Sequence, residues 1–149
     1  MNDSEELAER ISEIYDAYYL DVYRFLVCFL GDRSDAEDLS HETFLQVLKS
    51  IDQFNGKTKI KTWIISIAKH KAIDFLRRKK FQTVFKDAFF REIRSASHSP
   101  ETILNEKEIN RLVIILRGIN ECPTIDTAEI LDWSQSKVKK RDSCDSSAR

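Results

Sequence analysis

Between Ser34 and Lys80 the chain reverses its electrical sign, and charge recognition is the chemistry that this stretch offers. Asp35, Glu37, Asp38 and Glu42 crowd the start of an apolar-patterned segment, Ser34–Lys49. A polar loop follows, Phe54-Asn55-Gly56-Lys57-Thr58, and then a base-rich stretch with Lys59, Lys61, Lys69, Lys71 and the run Arg77-Arg78-Lys79-Lys80. Residues 1–49 hold 12 acids against 4 Lys+Arg, residues 57–80 hold 9 Lys+Arg against Asp74 alone, and residues 81–149 hold 11 of each. The formal net charge of −1 hides this asymmetry. An acidic face suits a cationic partner and a basic one suits a polyanion, so the division points to a bridge between a protein and a nucleic acid. The plainer reading of 77–80 is a solvated helix end; the loop and the lysines before it favour nucleic acid.

Other chemistries find little support. His41, His70 and His98 lack ligand spacing, so no metal is expected. Cys28, Cys122 and Cys144 are isolated, with no C-x-x-C pair for a disulfide or zinc framework. Cys28, inside an apolar run, is expected to be a small core residue. No pattern sets a base beside Cys122 or Cys144, no convergent acid–base set appears, and no nucleotide-binding loop is present. The chain is expected to be no enzyme and to need no cofactor. With no N-terminal apolar signal region and no apolar run of membrane-spanning length, it is expected to be cytoplasmic.

The elements that must position these residues are helical. Only 3 Gly and 2 Pro occur in 149 residues, which leaves few turns and argues for an all-α fold. Ile11, Ile14, Tyr15, Tyr18, Val22, Phe25, Leu26 and Phe29 predict a first helix over residues 11–30, stopped by Gly31. Ser34 and Glu37 predict a capping box for the second helix, whose buried side reads Ala36, Leu39, Thr43, Val47 and Leu48. Asn55-Gly56 breaks the pattern. A third helix carries Trp63, Ile64, Ile67, Ala68 and Phe75 on one side and ends in the basic run, where cations suit a helix C-terminus. Trp63 reads as core packing, and Lys71, on the same stripe, can lay its stem along it. These helices form a bundle over residues 1–94, with Phe81–Ile93 as a mixed segment. Residues 95–100 are a small, polar linker, and residues 101–149 form a second, smaller domain.

That domain reads as a helix over 101–119, ended by Cys122-Pro123, then a helix-turn-helix. Ile125–Leu131 is its first helix, Asp132-Trp133 the turn, and Ser134–Arg141 the second helix with Ser134 as cap. Ala128 supplies the small residue that a close helix crossing needs. Ser134, Gln135, Ser136, Lys137 and Lys140, with Arg141 behind them, are types that read base edges and phosphates in a major groove. The tail Asp142–Arg149 is polar, has no helical stripe, and resembles a truncated or frame-shifted ending.

Asp35-Ala-Glu-Asp-Leu-x-x-Glu-Thr-Phe44, Phe54-x-Gly56 and Thr62-Trp-Ile-x-x-Ile-Ala-Lys-x-Lys-Ala-Ile-Asp-Phe-Leu-Arg-Arg78 together resemble conserved region 2 of bacterial sigma-70-type factors, most of all the extracytoplasmic-function (ECF) group. Residues 101–141 resemble region 4 more weakly. The resemblance implies two helical domains on a flexible linker, binding to core RNA polymerase and promoter DNA, and transcription initiation; an anti-sigma protein is a further partner common in the group. It implies that Glu37, Asp38, His41, Glu42 and Gln46 face the polymerase, with His41 standing where the family commonly has Gln. It implies that Phe54, Asn55, Gly56, Lys57, Thr58 and Lys59 accept a −10 base, and that Lys61, Lys69, Lys71, Arg77 and Arg78 track the DNA backbone. Ser134, Gln135, Ser136, Lys137, Lys140 and Arg141 would meet the −35 element, and Asp132 takes a turn position where the family usually has Gly. Two other readings stand beside this one: a free-standing helix-turn-helix regulator, and a degenerate factor that binds polymerase without initiating.

Overall fold

The computed structural model describes residues 3–84 and 104–147. Every regular element among them is helical. Helix α1 (Asp3–Leu30), α2 (Arg33–Ser50) and α3 (Ile60–Val84) pack on one another as a bundle. Helix α4 (Glu106–Ile114) continues into a wider π turn, Ile115–Ile119. Helices α5 (Thr124–Leu131) and α6 (Gln135–Ser147) complete the chain, α5 against α3 and α6 against α4 and α5.

The bundle follows from its stripes. Val22, Phe25, Leu26, Ile64, Ile65, Ala68, Ala72 and Ile73 are fully buried. Phe25 and Phe29 meet edge-on, with ring centroids 5.8 Å apart. Truncating either to Ala would cost about 3–5 kcal/mol. Polar Ser40 and Thr43 fit the buried face of α2 because their hydroxyls donate to the carbonyls of Ala36 and Leu39, both at 2.7 Å. Gly31, at φ 74°, ends α1 as expected, its N–H donating to the Val27 carbonyl at 2.9 Å.

Several sequence expectations are corrected. Helix α1 starts at Asp3, well before Ile11, since its first turns are acid-rich and suit a helix N-terminus. The cap of α2 is Asp32, not Ser34: extended Asp32 accepts the Asp35 N–H at 2.9 Å, which puts Ser34 inside the first turn. Leu48 is 44% exposed rather than buried, and Cys28 is exposed rather than in the core. Helix α3 runs on to Val84, so Arg77–Lys80 lies within it and not at its end. Helix α4 begins only at Glu106, where Asn105 and Glu108 form a reciprocal capping box. Helix α6 extends to Ser147, carrying most of the tail as regular helix although it has no apolar stripe. The proposed linker 95–100 and Phe85–Ile93 fall outside the described residues.

Candidate functional site

The acid-bearing residues lie on the outward half of α2. Alternate turns bury Ala36, Leu39, Ser40, Thr43, Phe44 and Val47, which leaves Glu37, Asp38, His41 and Glu42 exposed. Gln46 is half-buried, its amide donating to Ser50 Oγ at 2.8 Å. Sequence reading missed the apolar part of this face. Leu45 is 56% exposed and joins Leu48 as an apolar pair on the same side of α2, just beyond the acids. The signal was present: both leucines fall off the Ala36–Leu39–Thr43–Val47 stripe. His41 lies beside Tyr19, which stacks on Tyr23 and tilts against Tyr15 and Phe44. Partial burial, with Tyr15 and Glu37 nearby, raises the Tyr19 phenol.

Acids and bases meet between the start of α2 and the C-terminal part of α3. An open groove of about 450 Å³ sets Asp35, Asp38 and Glu42 opposite Arg78 and Lys79, with Leu39 and Phe75 in its lining. Arg77 pairs with Asp74 at 3.0 Å, an i,i+3 contact within α3.

The loop between α2 and α3 has a defined shape. Gly56 takes φ 75°, and Asn55 Oδ1 accepts the Lys57 N–H at 3.0 Å, an Asx turn. Phe54 rests on Trp63 with ring centroids 4.9 Å apart, so Trp63 packs as expected and braces the loop. Asn55 and Lys57 stand exposed, and Thr58 is half-buried.

The lysines divide. Lys71 is half-buried and Arg78 exposed. Lys59, Lys61 and Lys69 instead meet α5 and the turn before it. Lys59 Nζ lies 3.3 Å from Asp126 Oδ2, Lys61 Nζ donates to the Asn120 carbonyl at 2.9 Å, and Lys69 Nζ donates to the Ile130 carbonyl at 2.7 Å. Lys69 is only 2% exposed, and burial pushes its ammonium pKa down against a smaller opposing pull from Asp132. Near by, burial raises the Cys122 thiol.

In the helix-turn-helix, Asp132 adopts the left-handed conformation, φ 58° and ψ 39°, and the Trp133 N–H donates to the Ala128 carbonyl at 2.9 Å. Ser134 accepts the Lys137 N–H at 3.2 Å, as expected of a cap. Val138 anchors α6 in the core. Lys137 stacks over the Trp133 ring at 4.4 Å, and Arg141 binds Glu106 and Asn110, so these two cations face inward. Gln135, Ser136 and Lys140 face outward, together with Lys139, which sequence reading left out. Among the described residues no group of His, Cys, Asp or Glu could hold a metal, and no helix is long and apolar enough to cross a membrane.

Residues 14–82, from the middle of α1 almost to the end of α3, match the family model for sigma-70 region 2. The ECF RNA polymerase sigma factor SigX of Bacillus subtilis is 34% identical over 153 residues, spanning 89% of this chain and 78% of SigX. The B. subtilis RNA polymerase sigma factor YlaC is 30% identical over 146 residues, 87% of this chain and 84% of YlaC. In architecture the chain is similar to the sigma factor RpoE of Bartonella quintana, solved with the anti-sigma factor NepR, at TM-score 0.66 and 17% identity over 89% of each chain. It is also similar to CnrH, solved with the cytosolic domain of CnrY, at TM-score 0.64 and 18% identity over 90% of this chain and 80% of CnrH. At those identities the two structures speak for the all-α fold alone.

Proposed function

We propose, because the chain belongs to the extracytoplasmic-function RNA polymerase sigma factors, that the outward face of α2 is its dock for core polymerase and that the loop before α3, with the α3 cations, is its promoter-reading surface. The family makes it a sigma factor, and the stand-alone regulator is not favoured. In this reading it does no covalent chemistry; DNA opening draws on capture of the unstacked non-template strand while polymerase supplies the scaffold.

The observation that carries the reading is the exposed pair Leu45 and Leu48, which continues, one to two turns further along α2, the face that carries Glu37, Asp38, His41 and Glu42. An apolar patch beside an acidic one fits a basic, apolar-striped helical partner, the leucines supplying affinity and the acids steering and register. Asn55 and Lys57 then stand exposed beside the Phe54–Trp63 brace to meet an extruded base and its phosphate. Gln135, Ser136, Lys139 and Lys140 form the outward face of α6 for duplex contact. An anti-sigma protein, of the kind bound to RpoE, is a further partner class.

Co-purification with core polymerase followed by run-off transcription tests this. Core-dependent transcripts are expected, and Leu45→Glu should weaken retention by about tenfold or more and reduce the transcripts with it. Failure to bind core enzyme at low salt would refute the docking face. Retention without transcripts would select the degenerate factor.

A further inference from the structure

Asn55-Gly56 is the only Asn-Gly pair in the sequence, and it lies in the exposed loop between α2 and α3. We propose that Asn55 is a site of spontaneous deamidation, which turns the loop from a neutral base reader into an anionic surface and so limits the working life of the protein. The reaction needs only the chain and water, and its effect on DNA rests on the assignment of this loop to the −10 base.

The loop favours ring closure. Its Asx turn curls the Asn55 carboxamide back beside the peptide that follows it, with Oδ1 accepting the Lys57 N–H at 3.0 Å. Gly56 has no Cβ to crowd an attack by its nitrogen, and even an added Cβ would meet nothing within 4 Å, so water reaches the site. Among the described residues no backbone carbonyl takes the Gly56 N–H, which leaves that nitrogen able to give up its proton.

The Gly56 nitrogen loses its proton to water and adds to Cγ of Asn55, forming a C–N bond. Negative charge gathers on Oδ1, where the Lys57 N–H stabilises it. The bond from Cγ to Nδ2 then breaks, and Nδ2 leaves as ammonia with a proton returned by water, which closes a cyclic imide. A second water opens either C–N bond of the ring and leaves aspartate or isoaspartate at position 55. Both products exchange an amide donor for a carboxylate beside Lys57, and a carboxylate repels the phosphates of a strand.

The other asparagines in the described residues are held. Asn105 caps α4, Asn110 is bound by Arg141, and Asn120 is 1% exposed with its amide on the Asp21 carbonyl. Each is followed by a residue with a side chain, Glu106, Arg111 or Glu121, where Asn55 has glycine.

Incubation of the intact chain at mildly alkaline pH, read by peptide mass spectrometry, tests the site, with Asn105, Asn110 and Asn120 as internal references. Position 55 is expected to convert at least about tenfold faster than any of them. Bound to core polymerase, the aged protein and Asn55→Asp should both hold a short mixed-sequence single-stranded oligonucleotide about tenfold more weakly than fresh protein, with retention on core unchanged. Asn55→Gln, whose longer side chain must close a larger ring, should lose no binding on the same incubation. Conversion at position 55 no faster than at Asn110 would overturn the site. So would an equal loss of binding by Asn55→Gln, since the loss would then arise elsewhere. Rapid conversion with undiminished oligonucleotide binding would uphold the site and strike the assignment of the loop to the −10 base.

Discussion

Lys69 Nζ sits 2.7 Å from the carbonyl oxygen of Ile130, tying the middle of α3 to the last turn of α5. The ammonium is desolvated and has one neutral acceptor there, so its burial opposes folding while its stem fills space. Lys69→Met keeps the volume and removes the charge. Its unfolding midpoint in urea should equal or exceed that of the parent, by up to about 1 kcal/mol, because an apolar isostere relieves a buried charge. Lys69→Ala should instead lose about 2 kcal/mol by leaving a cavity. A Met variant as unstable as the Ala variant would show that the charge itself holds the seam.

The same lysine sets a pH dependence. Burial holds its folded pKa below the ordinary 10.5. Between that folded value and 10.5 the unfolded chain binds a proton that the folded chain has released, so this contribution to stability is smallest below the window and rises with pH through it. Cys122 works in the opposite sense. Burial lifts its thiol above 9.0, so the unfolded chain ionises first and stability falls as pH passes 9.0. Urea unfolding from neutral pH to about pH 10 should show Lys69→Met losing the rising component and Cys122→Ala losing the falling one. Profiles parallel to the parent's would remove these groups from the linkage.

Leu45 and Leu48 separate binding from folding. Both point outward, so Leu45→Glu should change stability by no more than about 0.5 kcal/mol, while weakening retention on core polymerase by about tenfold or more if the pair is the centre of the dock. Val47→Glu, at a fully buried position, should unfold the bundle. Thermal denaturation beside a core-enzyme pull-down distinguishes the two. Full retention of Leu45→Glu would place the dock elsewhere.

The local grammar of the chain was legible. The α1 stripe, the Gly31 stop, the Asn55-Gly56 break and the Ser134 cap each depend on residues within a few positions of one another, and each is found. Faces were read less well. Leu48 reads as part of the buried stripe although Val47 already fills it, and Cys28 reads as core because its neighbours are apolar, yet both are exposed. The α3–α5 seam was out of reach, since Lys69 and Ile130 lie 61 residues apart and helical spacing cannot say what will cover a given face. Lys69, Lys61 and Lys59 therefore read as free cations, and Lys137 and Arg141 as outward, before the Trp133 ring and Glu106 were seen to claim them.

Asp132 tests the turn. It holds φ 58°, which glycine reaches without steric cost. Asp132→Gly should therefore gain up to about 1 kcal/mol from the backbone, offset in part by losing the carboxylate that favours charged Lys69. Asp132→Asn keeps tolerance of the left-handed region and should lie near the parent. Asp132→Val should be the least stable, since a β-branched residue fits that region worst. The expected order of melting temperatures is Gly at or above Asp and Asn, with Val last. A Val variant that melts with the parent would show that the turn relaxes out of this conformation.

The inward and outward cations of α6 should differ in their response to salt. Lys139 and Lys140 face outward, whereas Arg141 is bound to Glu106 and Asn110 and Lys137 lies on Trp133. If α6 enters a major groove with its outward face, Lys139→Ala and Lys140→Ala should each weaken duplex promoter binding by the core-bound protein and reduce the slope of log K against log salt by about one, while leaving the melting temperature unchanged. Arg141→Ala should do the reverse: it breaks the tie between α6 and α4, lowers the melting temperature, and leaves the salt slope as it was. A salt slope that falls with Arg141→Ala and not with Lys139→Ala would mean that α6 turns its other face to DNA, with Arg141 released from Glu106 on binding.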